Sequence, residues 1–246
     1  MASDIQKQIE TLEQYKESVI TEAVTKGLNP DVEMKDSSIE WIGEIPKHWK
    51  IARLKYLSLR IGDGLHGTPI FSDDCVYFIN GNNLGKEKIE IKENTDTLSV
   101  GEKSKYKQPI LTNNTILIAL NGTYGITSFY NNENILLGKS AGYVVLEDDI
   151  NKFYIRYYLS SMCSKIEMDL SLSGTTIANL SLKTLSGINI VLPTNDEQIE
   201  IVSYLNEKCT NINKILGLKK QQLETLTQYK KSLIYEYVTG KKEVPT

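Results

Sequence analysis

The chain carries the same amphipathic segment twice, once near its start and once near its end. Residues 5–25 and residues 219–239 align without gaps at an offset of 214 residues, and 12 of the 21 aligned positions are identical. Two unrelated amphipathic helices would share only a few residues. A period of this length is too long for a stacked solenoid repeat. The pattern therefore predicts one unit of a tandem duplication, with the same helix kept at both edges.

The first copy has the spacing and the boundaries of a helix. Apolar residues recur every three or four positions, beginning with Ile5 and Ile9. Ser3 and Gln6 have the spacing of an N-terminal capping box, and Gly27 predicts the end of the helix.

The second copy ends a longer helix that carries the seam of a coiled coil. Thr194 and Glu197 form a predicted capping box, and the helix is expected over about residues 195–239. Alternating spacings of four and three residues select a stripe in which eight of ten positions are apolar. The stripe comprises Leu205, Cys209, Ile212, Leu216, Lys219, Leu223, Leu226, Lys230, Leu233 and Tyr237. We expect it to pair with a partner helix; the alternative is a helix packed only on its own domain.

The residues between the helices predict a domain of mixed type. Strand-like runs, separated by turn clusters rich in Gly and Asn, lie at 76–79, 115–120, 126–130, 142–146 and 188–192. Apolar spacing predicts one helix over Phe153–Asp169. The fold class is therefore α+β. The predicted domains are an N-terminal helix over 1–28, a globular domain over 29–193 and a long coiled-coil helix over 194–240.

Composition excludes several classes of function. The 28 basic and 31 acidic residues give a net charge of −3. This excludes a histone-like polybasic binder but not a locally basic face that reads DNA. Two histidines and three scattered cysteines do not make a multi-His or CxxC zinc site, and the GxxxxGK[ST] phosphate loop is absent from the sequence. We expect no metal, no cofactor, no membrane span and, from the cysteine pattern, a cytoplasmic protein.

Three stretches together resemble one family. Gly43-Glu44-Ile45-Pro46-Lys47-His48-Trp49 looks like the GxIPxxW opening of target recognition domains in specificity (S) subunits of type I restriction–modification systems. Residues 173–176, 179–180 and 188–193 resemble the closing stretch of such domains, and Asp196-Glu197-Gln198 resembles the start of their long helix. The usual S subunit has two recognition domains and two long helices, so this chain resembles a half-size form.

The resemblance implies a non-catalytic subunit that reads DNA. In that family each recognition domain reads one half of a bipartite site in the major groove, and the helices dock the methyltransferase (M) subunits. The implied partners are double-stranded DNA, M subunits and, where the system has them, restriction (R) subunits. The 214-residue repeat and the seam of the long helix further predict a second copy of the chain as a partner. In such a homodimer the long helices would pair antiparallel, and the target would be an interrupted palindrome. The residues expected to be buried there are Leu205, Ile212, Leu216, Leu223, Leu226 and Leu233.

Five loops rich in Gly, Asn and Ser are candidates for contact with DNA, because base edges are read by polar side chains on shaped loops. For each loop a purely structural role, most often a tight turn, is the alternative. The candidate contacts are His66, Gly67, Thr68, Asn80, Asn82, Asn83, Asn121, Thr123, Tyr124, Lys139, Ser140, Ser173, Thr175 and Thr176. Trp49, Tyr154, Tyr157 and Tyr158 are expected in the core, and His48 at the surface.

Two other classes of function stay open at this point. One is a coiled-coil adaptor whose domain binds protein and does not read DNA. The other is a solitary enzyme with a site that no motif reveals.

Overall fold

The computed structural model describes residues 2–172 and 179–242, and the chain divides into two compact units. One unit comprises residues 20–202; the other comprises residues 1–19 and 203–246. The first unit is wider than the predicted 29–193 domain on both sides. The reason is local: Val24 near its start and Ile201 near its end are both almost completely buried.

The helices in the described residues include both copies of the repeat. They are α1 (Ala2–Lys26), α2 (Val100–Lys103), α3 (Lys152–Leu159), α4 (Met162–Ser171), α5 (Leu182–Gly187) and α6 (Asn195–Val238). Because α1 begins at Ala2, Ser3 lies in its first turn and is not the N-cap that the sequence predicts. The capping box of α6 is confirmed: Glu197 accepts the Thr194 amide at 3.0 Å, and Thr194 Oγ1 accepts the Glu197 amide at 3.4 Å.

Eleven short strands are present in the described residues. They are β1 (Met34–Asp36), β2 (Glu44–Pro46), β3 (Lys50–Arg53), β4 (Ser58–Asp63), β5 (Val76–Ile79), β6 (Thr97–Leu98), β7 (Thr115–Ala119), β8 (Thr127–Phe129), β9 (Ile135–Leu137), β10 (Ala141–Leu146) and β11 (Asn189–Leu192). The five predicted runs correspond to β5, β7, β8, β10 and β11 to within about a residue. The mixed α/β class is thereby confirmed. The other strands escaped prediction because they are too short to show alternation.

The strands form four small sheets. The largest is antiparallel in the order β4-β10-β7-β8, and a second has the order β6-β5-β9, with β5 and β9 parallel. Two further pairs, β1-β2 and β11-β3, are antiparallel. Pairing of β11 with β3 ties the closing stretch of the domain to its opening stretch.

The core of the unit formed by residues 20–202 includes two apolar clusters built on the two larger sheets. Strand β7 is buried along its whole length, as expected for a central strand. One cluster contains Ile79, Leu117, Leu137 and Tyr143, and Val76 and Leu98 belong to a second cluster. Trp49, Tyr154, Tyr157 and Tyr158 are buried as expected, and His48 is exposed.

The helix predicted over Phe153–Asp169 is in fact two helices. The chain leaves α3 at Ser160, and Ser161 begins α4 as its N-cap, with its hydroxyl accepting the Ser164 amide at 3.5 Å. Apolar spacing continues across the break, so the sequence pattern does not show it. Serine at a cap satisfies an amide that a continuous helix would have satisfied by itself.

The second unit is a pair of helices, formed by residues 2–19 of α1 and the part of α6 that begins at residue 203. Ile5, Ile9, Ile212 and Leu216 form a buried cluster, and Leu12, Leu223 and Leu226 pack against it partly exposed. Leu205, Ile212 and Leu216 of the predicted dimer seam are therefore already buried within one chain. Along the described residues no helix is both long and apolar enough to cross a membrane.

Candidate nucleic-acid interface

The loops that follow three strands meet at one edge of the unit formed by residues 20–202. The amide of Leu65, just after β4, donates to the carbonyl of Leu137 at the end of β9 (2.7 Å). The amide of Gly138 donates to the carbonyl of Ile79 at the end of β5 (2.8 Å), and Leu65 also forms an isolated bridge with Gly138. The loops after β4, β5 and β9 are thus joined backbone to backbone.

Ser140 links these loops to the loop after β7. Its hydroxyl donates to Asn80 Oδ1 at 3.0 Å and accepts the Gly81 amide at 2.9 Å. Its carbonyl accepts the Leu120 amide at 2.9 Å, and the Leu120 carbonyl accepts the Leu180 amide at 2.8 Å. Residues 179–180 therefore join the same edge. The predicted contacts Ser173, Thr175 and Thr176 lie outside the described residues.

Two glycines make this close approach of the loops possible. A Cβ on Gly64 would lie 2.2 Å from the carbonyl oxygen of Leu137, and a Cβ on Gly138 would lie 2.3 Å from Asn80 Oδ1. Any larger residue must push the loops apart at either position. By contrast, a Cβ on Gly67 or Gly122 meets nothing within 4 Å.

The Asn-Gly sequence after β5 is typical of a type I′ hairpin turn, but the loop is instead a helical turn. Residues 81–83 form a 3-10 turn, and Asn80 and Asn83 form a reciprocal capping box. Asn83 is only 5% exposed, and its amide group donates to Thr95 Oγ1 at 3.0 Å. Asn83 is therefore a structural residue that holds the loop and is not available to DNA. The Asn80 side chain also holds the loop, because its Oδ1 accepts a hydrogen bond from the Ser140 hydroxyl.

Several other predicted contacts point to solvent from this edge. The exposed ones are His66, Gly67, Thr68, Asn82, Thr123 and Lys139. His66 Nε2 lies 2.8 Å from Asp63 Oδ2, which orients the ring. Lys92 donates to the Asn82 carbonyl at 2.6 Å and so adds a second cation to the edge. Neither Asp63 nor Lys92 was predicted, and for Lys92 no local sequence signal exists.

The loop after β7 is a hairpin, as its structural alternative predicted. Strands β7 and β8 are antiparallel, and the turn uses positive φ angles at Gly122 (70°) and Gly125 (82°). Asn121 forms a bridge with Asn179. The Tyr124 hydroxyl donates to the carboxylate of Asp169, and this hydrogen bond raises the pKa of Tyr124. Tyr124 is thus tied to α4, while Thr123 remains exposed at the tip.

The edge presents hydroxyl, amide, imidazole and ammonium groups from separate loops, on a backbone that hydrogen bonds hold together. These are the groups that contact base edges and phosphates. Within the described residues, no group of three His, Cys, Asp or Glu side chains is placed to hold a metal ion.

The structure defines a mixed α/β domain with a polar edge of loops, followed along the chain by a long helix. The chain belongs to the family described as the type I restriction modification DNA specificity domain, which matches residues 72–227, more than half of its length. The resemblance seen in the sequence is thereby confirmed.

Similar proteins agree with this assignment. The type I restriction enzyme MjaVIII specificity subunit of Methanocaldococcus jannaschii is 27% identical over 245 residues, covering 96% of this chain and 56% of that protein. The putative MjaX specificity subunit of the same organism is 27% identical over 259 residues, covering 98% and 54%. The chain spans about half the length of the curated relatives it matches.

Two solved structures share the fold. A chain from a study of complex assembly and conformational transition of the type I R-M system has a TM-score of 0.62 at 17% identity, covering 96% of this chain and 54% of that one. The HsdS subunit from Thermoanaerobacter tengcongensis has a TM-score of 0.58 at 17% identity, covering 94% and 52%.

Proposed function

We propose that this chain reads one half-site of a bipartite DNA target for a type I restriction–modification complex and has no catalytic role of its own. The observation that carries the proposal is the convergence of four predicted loops on Ser140 and Gly138. Family membership supports DNA as the ligand. The relatives are named as specificity subunits.

The loop edge suggests how the work is divided among its side chains. Lys139 and Lys92 are placed to meet phosphates, which supply affinity without sequence information. His66, Thr68, Asn82 and Thr123 are exposed polar groups suited to base edges. Asn80, Asn83 and Ser140 hold the backbone from which these residues project.

The methyltransferase and restriction activities would come from partner subunits that dock on the helices. With a net charge of −3, the isolated chain has limited capacity for counterion release. We therefore expect weak DNA binding by the chain alone and tight binding together with M subunits. We further propose that two copies associate through α6, which would present two identical recognition domains in opposite senses and select an interrupted palindrome.

The deciding experiment is methylome sequencing of DNA modified by this chain together with its M subunit. The expected result is one methylated bipartite motif, which changes when the loops at 64–68 and 80–83 are exchanged for those of a relative. An unchanged motif after both exchanges would contradict the assignment of the loop edge. A gel shift that shows no DNA binding even with M subunits present would favour the protein-binding adaptor.

A further inference from the structure

Within one chain, α1 covers part of the seam that α6 would use to pair with another α6. Ile5 and Ile9 of α1 are buried in one apolar cluster with Ile212 and Leu216 of α6, and Leu12, Leu223 and Leu226 pack against that cluster. Such a contact between apolar side chains at seam positions is the contact a coiled-coil partner would make. The seam of α6 is therefore occupied before any second copy arrives.

The two helices of this unit run antiparallel. Lys16 Nζ donates to Asn213 Oδ1 at 2.7 Å, and Lys220 Nζ pairs with Glu13 Oε1 at 2.8 Å. The partner number on α6 falls as the number on α1 rises, which fixes the direction. An antiparallel arrangement is also the one that two α6 helices related by a twofold axis would have.

The sequence of α1 is repeated on α6 itself. Leu12, Tyr15 and Lys16 have identical counterparts 214 residues further along the chain. The local structure repeats as well: Thr11 Oγ1 donates to the Lys7 carbonyl at 2.9 Å, and Thr225 Oγ1 donates to the Gln221 carbonyl at 3.0 Å. A surface of α6 that accepts residues 5–19 is therefore suited to accept residues 219–233 of another chain.

We propose that α1 is an internal substitute for the partner helix: residues 219–233 of a second copy take the place of residues 5–19 on α6, and α1 must leave α6 before two copies pair. The proposal rests on the self-association proposed above but not on DNA reading. The register follows from the contacts that α1 makes. Mapped through the repeat, they centre the pairing at about Leu223 and set Ile212 opposite Leu233 of the second copy.

Two differences between the copies favour the internal contact. Glu13, which pairs with Lys220, corresponds to Thr227, and the buried Ile5 corresponds to Lys219. A second copy therefore makes neither the ion pair nor the apolar contact at those points. An internal helix also has a high effective concentration, on the order of millimolar for a short tether. The isolated chain is accordingly expected to be mainly monomeric, because α1 competes with the second copy for the same surface of α6.

The contact of α1 with α6 is open on one side. A groove between the helices is lined by Ile9, Leu223, Thr227 and Lys231, with Gln6 and Glu13 on the α1 side. Further along α6, Leu233 of the seam is half-buried and its neighbour Ile234 is 53% exposed. This uncovered end supplies the residues with which a second copy would begin to displace α1.

The first test loosens α1 in the full-length chain. Ile5→Asp with Ile9→Asp removes the apolar contact, and Tyr15→Asp on the exposed side of α1 is the matched control. Sedimentation equilibrium without DNA should show the mass rising from 27.8 kDa toward twice that value at a concentration at least about tenfold lower than for the parent. The control should behave as the parent. Weaker association of the loosened variant would overturn the proposal, because α1 would then belong to the interface.

The second test locks α1 and does not depend on destabilising it. Lys16→Cys with Asn213→Cys, in a Cys75→Ser background, places one thiol on each helix, and a short bismaleimide linker that contains a reducible disulfide joins them. The cross-linked protein should stay monomeric at every concentration, and reduction of the linker should restore the association of the parent. A locked chain that dimerises as readily as the reduced one would refute exchange. Neither test contains DNA. A negative result in these tests would therefore not bear on the methylome experiment, and a negative methylome result would not bear on helix exchange.

Discussion

The indole nitrogen of Trp49 donates a hydrogen bond to the Glu197 carboxylate at 3.0 Å, although the two residues lie 148 positions apart. Trp49 is 1% exposed, and the same carboxylate oxygen lies 2.9 Å from His48 Nε2. The opening stretch of the recognition domain is thereby joined to the first turn of α6. The carboxylate that caps the long helix is also the acceptor for the buried tryptophan of the domain.

This arrangement predicts a pH-dependent role for Glu197. Burial alone would raise the pKa of its carboxyl, but hydrogen bonds from Thr194, Trp49 and His48 outweigh burial and lower it from 4.5 to about 2. A lowered folded-state pKa stabilises the protein above pH 4.5 and loses that effect as the pH falls toward 2. Glu197→Gln should therefore cost about 1–2 kcal/mol of unfolding free energy at pH 7, allowing for partial exposure.

The measurement is urea unfolding of both proteins between pH 7 and pH 3. The difference in unfolding free energy should shrink as the pH falls. Glu200→Gln, at an exposed position one turn further along α6, is the control and should change stability little. A difference that stays constant across the range would show that the charge of Glu197 is not what stabilises the junction.

Loss of the hydroxyl group should change the stability of the protein differently at two buried tyrosines of α3. The Tyr154 hydroxyl donates to the carbonyl of Val191 at 2.7 Å, and the carbonyl of Val24 shares the same proton at 3.2 Å. The Tyr158 hydroxyl is equally buried, but within the described residues it meets no partner in good hydrogen-bond geometry and has only the Val191 backbone nearby. Tyr154→Phe should cost about 1–3 kcal/mol because it leaves buried carbonyls unpaired, whereas Tyr158→Phe should be neutral or slightly stabilising. Thermal and urea unfolding of the two variants check this, and equal losses would contradict it.

In the loop after β4, glycine is required at position 64 but not at position 67. Gly64→Ala places a methyl group 2.2 Å from a backbone oxygen and should cost about 1–3 kcal/mol as the loops shift apart. Gly67→Ala meets no neighbour and should change stability by less than about 0.5 kcal/mol. Chemical denaturation measures the stability of both. The half-site affinity of the complex with M subunits should also fall for Gly64→Ala, and equal stability of the two variants would count against the contact between Gly64 and Leu137.

Lys139 should contribute affinity without sequence preference. Lys139→Gln is expected to lower binding of the M-subunit complex to all DNA sequences and to reduce the slope of log affinity against log salt by about 1. Lys214→Gln, an exposed lysine on α6, is the matched control and should leave the slope unchanged. Titration at several salt concentrations gives both values. A changed methylation motif with an unchanged slope would instead make Lys139 a base-reading residue.

Local sequence pattern was enough to predict many of the helices and strands of this protein. Helix α6 was predicted to within about a residue because its capping box and its apolar stripe are both written in consecutive residues. The strands β5, β7 and β10 were long enough to show their burial. The break between α3 and α4 was missed because apolar spacing continues through Ser160 and Ser161. The sequence pattern does not distinguish a serine inside a helix from a serine that caps the next helix.

By itself, the sequence determined the repeat, the long helix, the α+β class and the family, because each rests on residue identity and on short-range periodicity. Only the tertiary structure decided which residues of the candidate DNA-contact loops are exposed and which hold the loop backbones in place. Asn82 and Asn83 have the same chemistry, but only Asn83 is buried, with Thr95 as its partner. It likewise decided that α1 covers the seam of α6. Such outcomes depend on partners tens to hundreds of positions away, and local pattern carries no information about which distant group satisfies a buried polar atom or covers an apolar face.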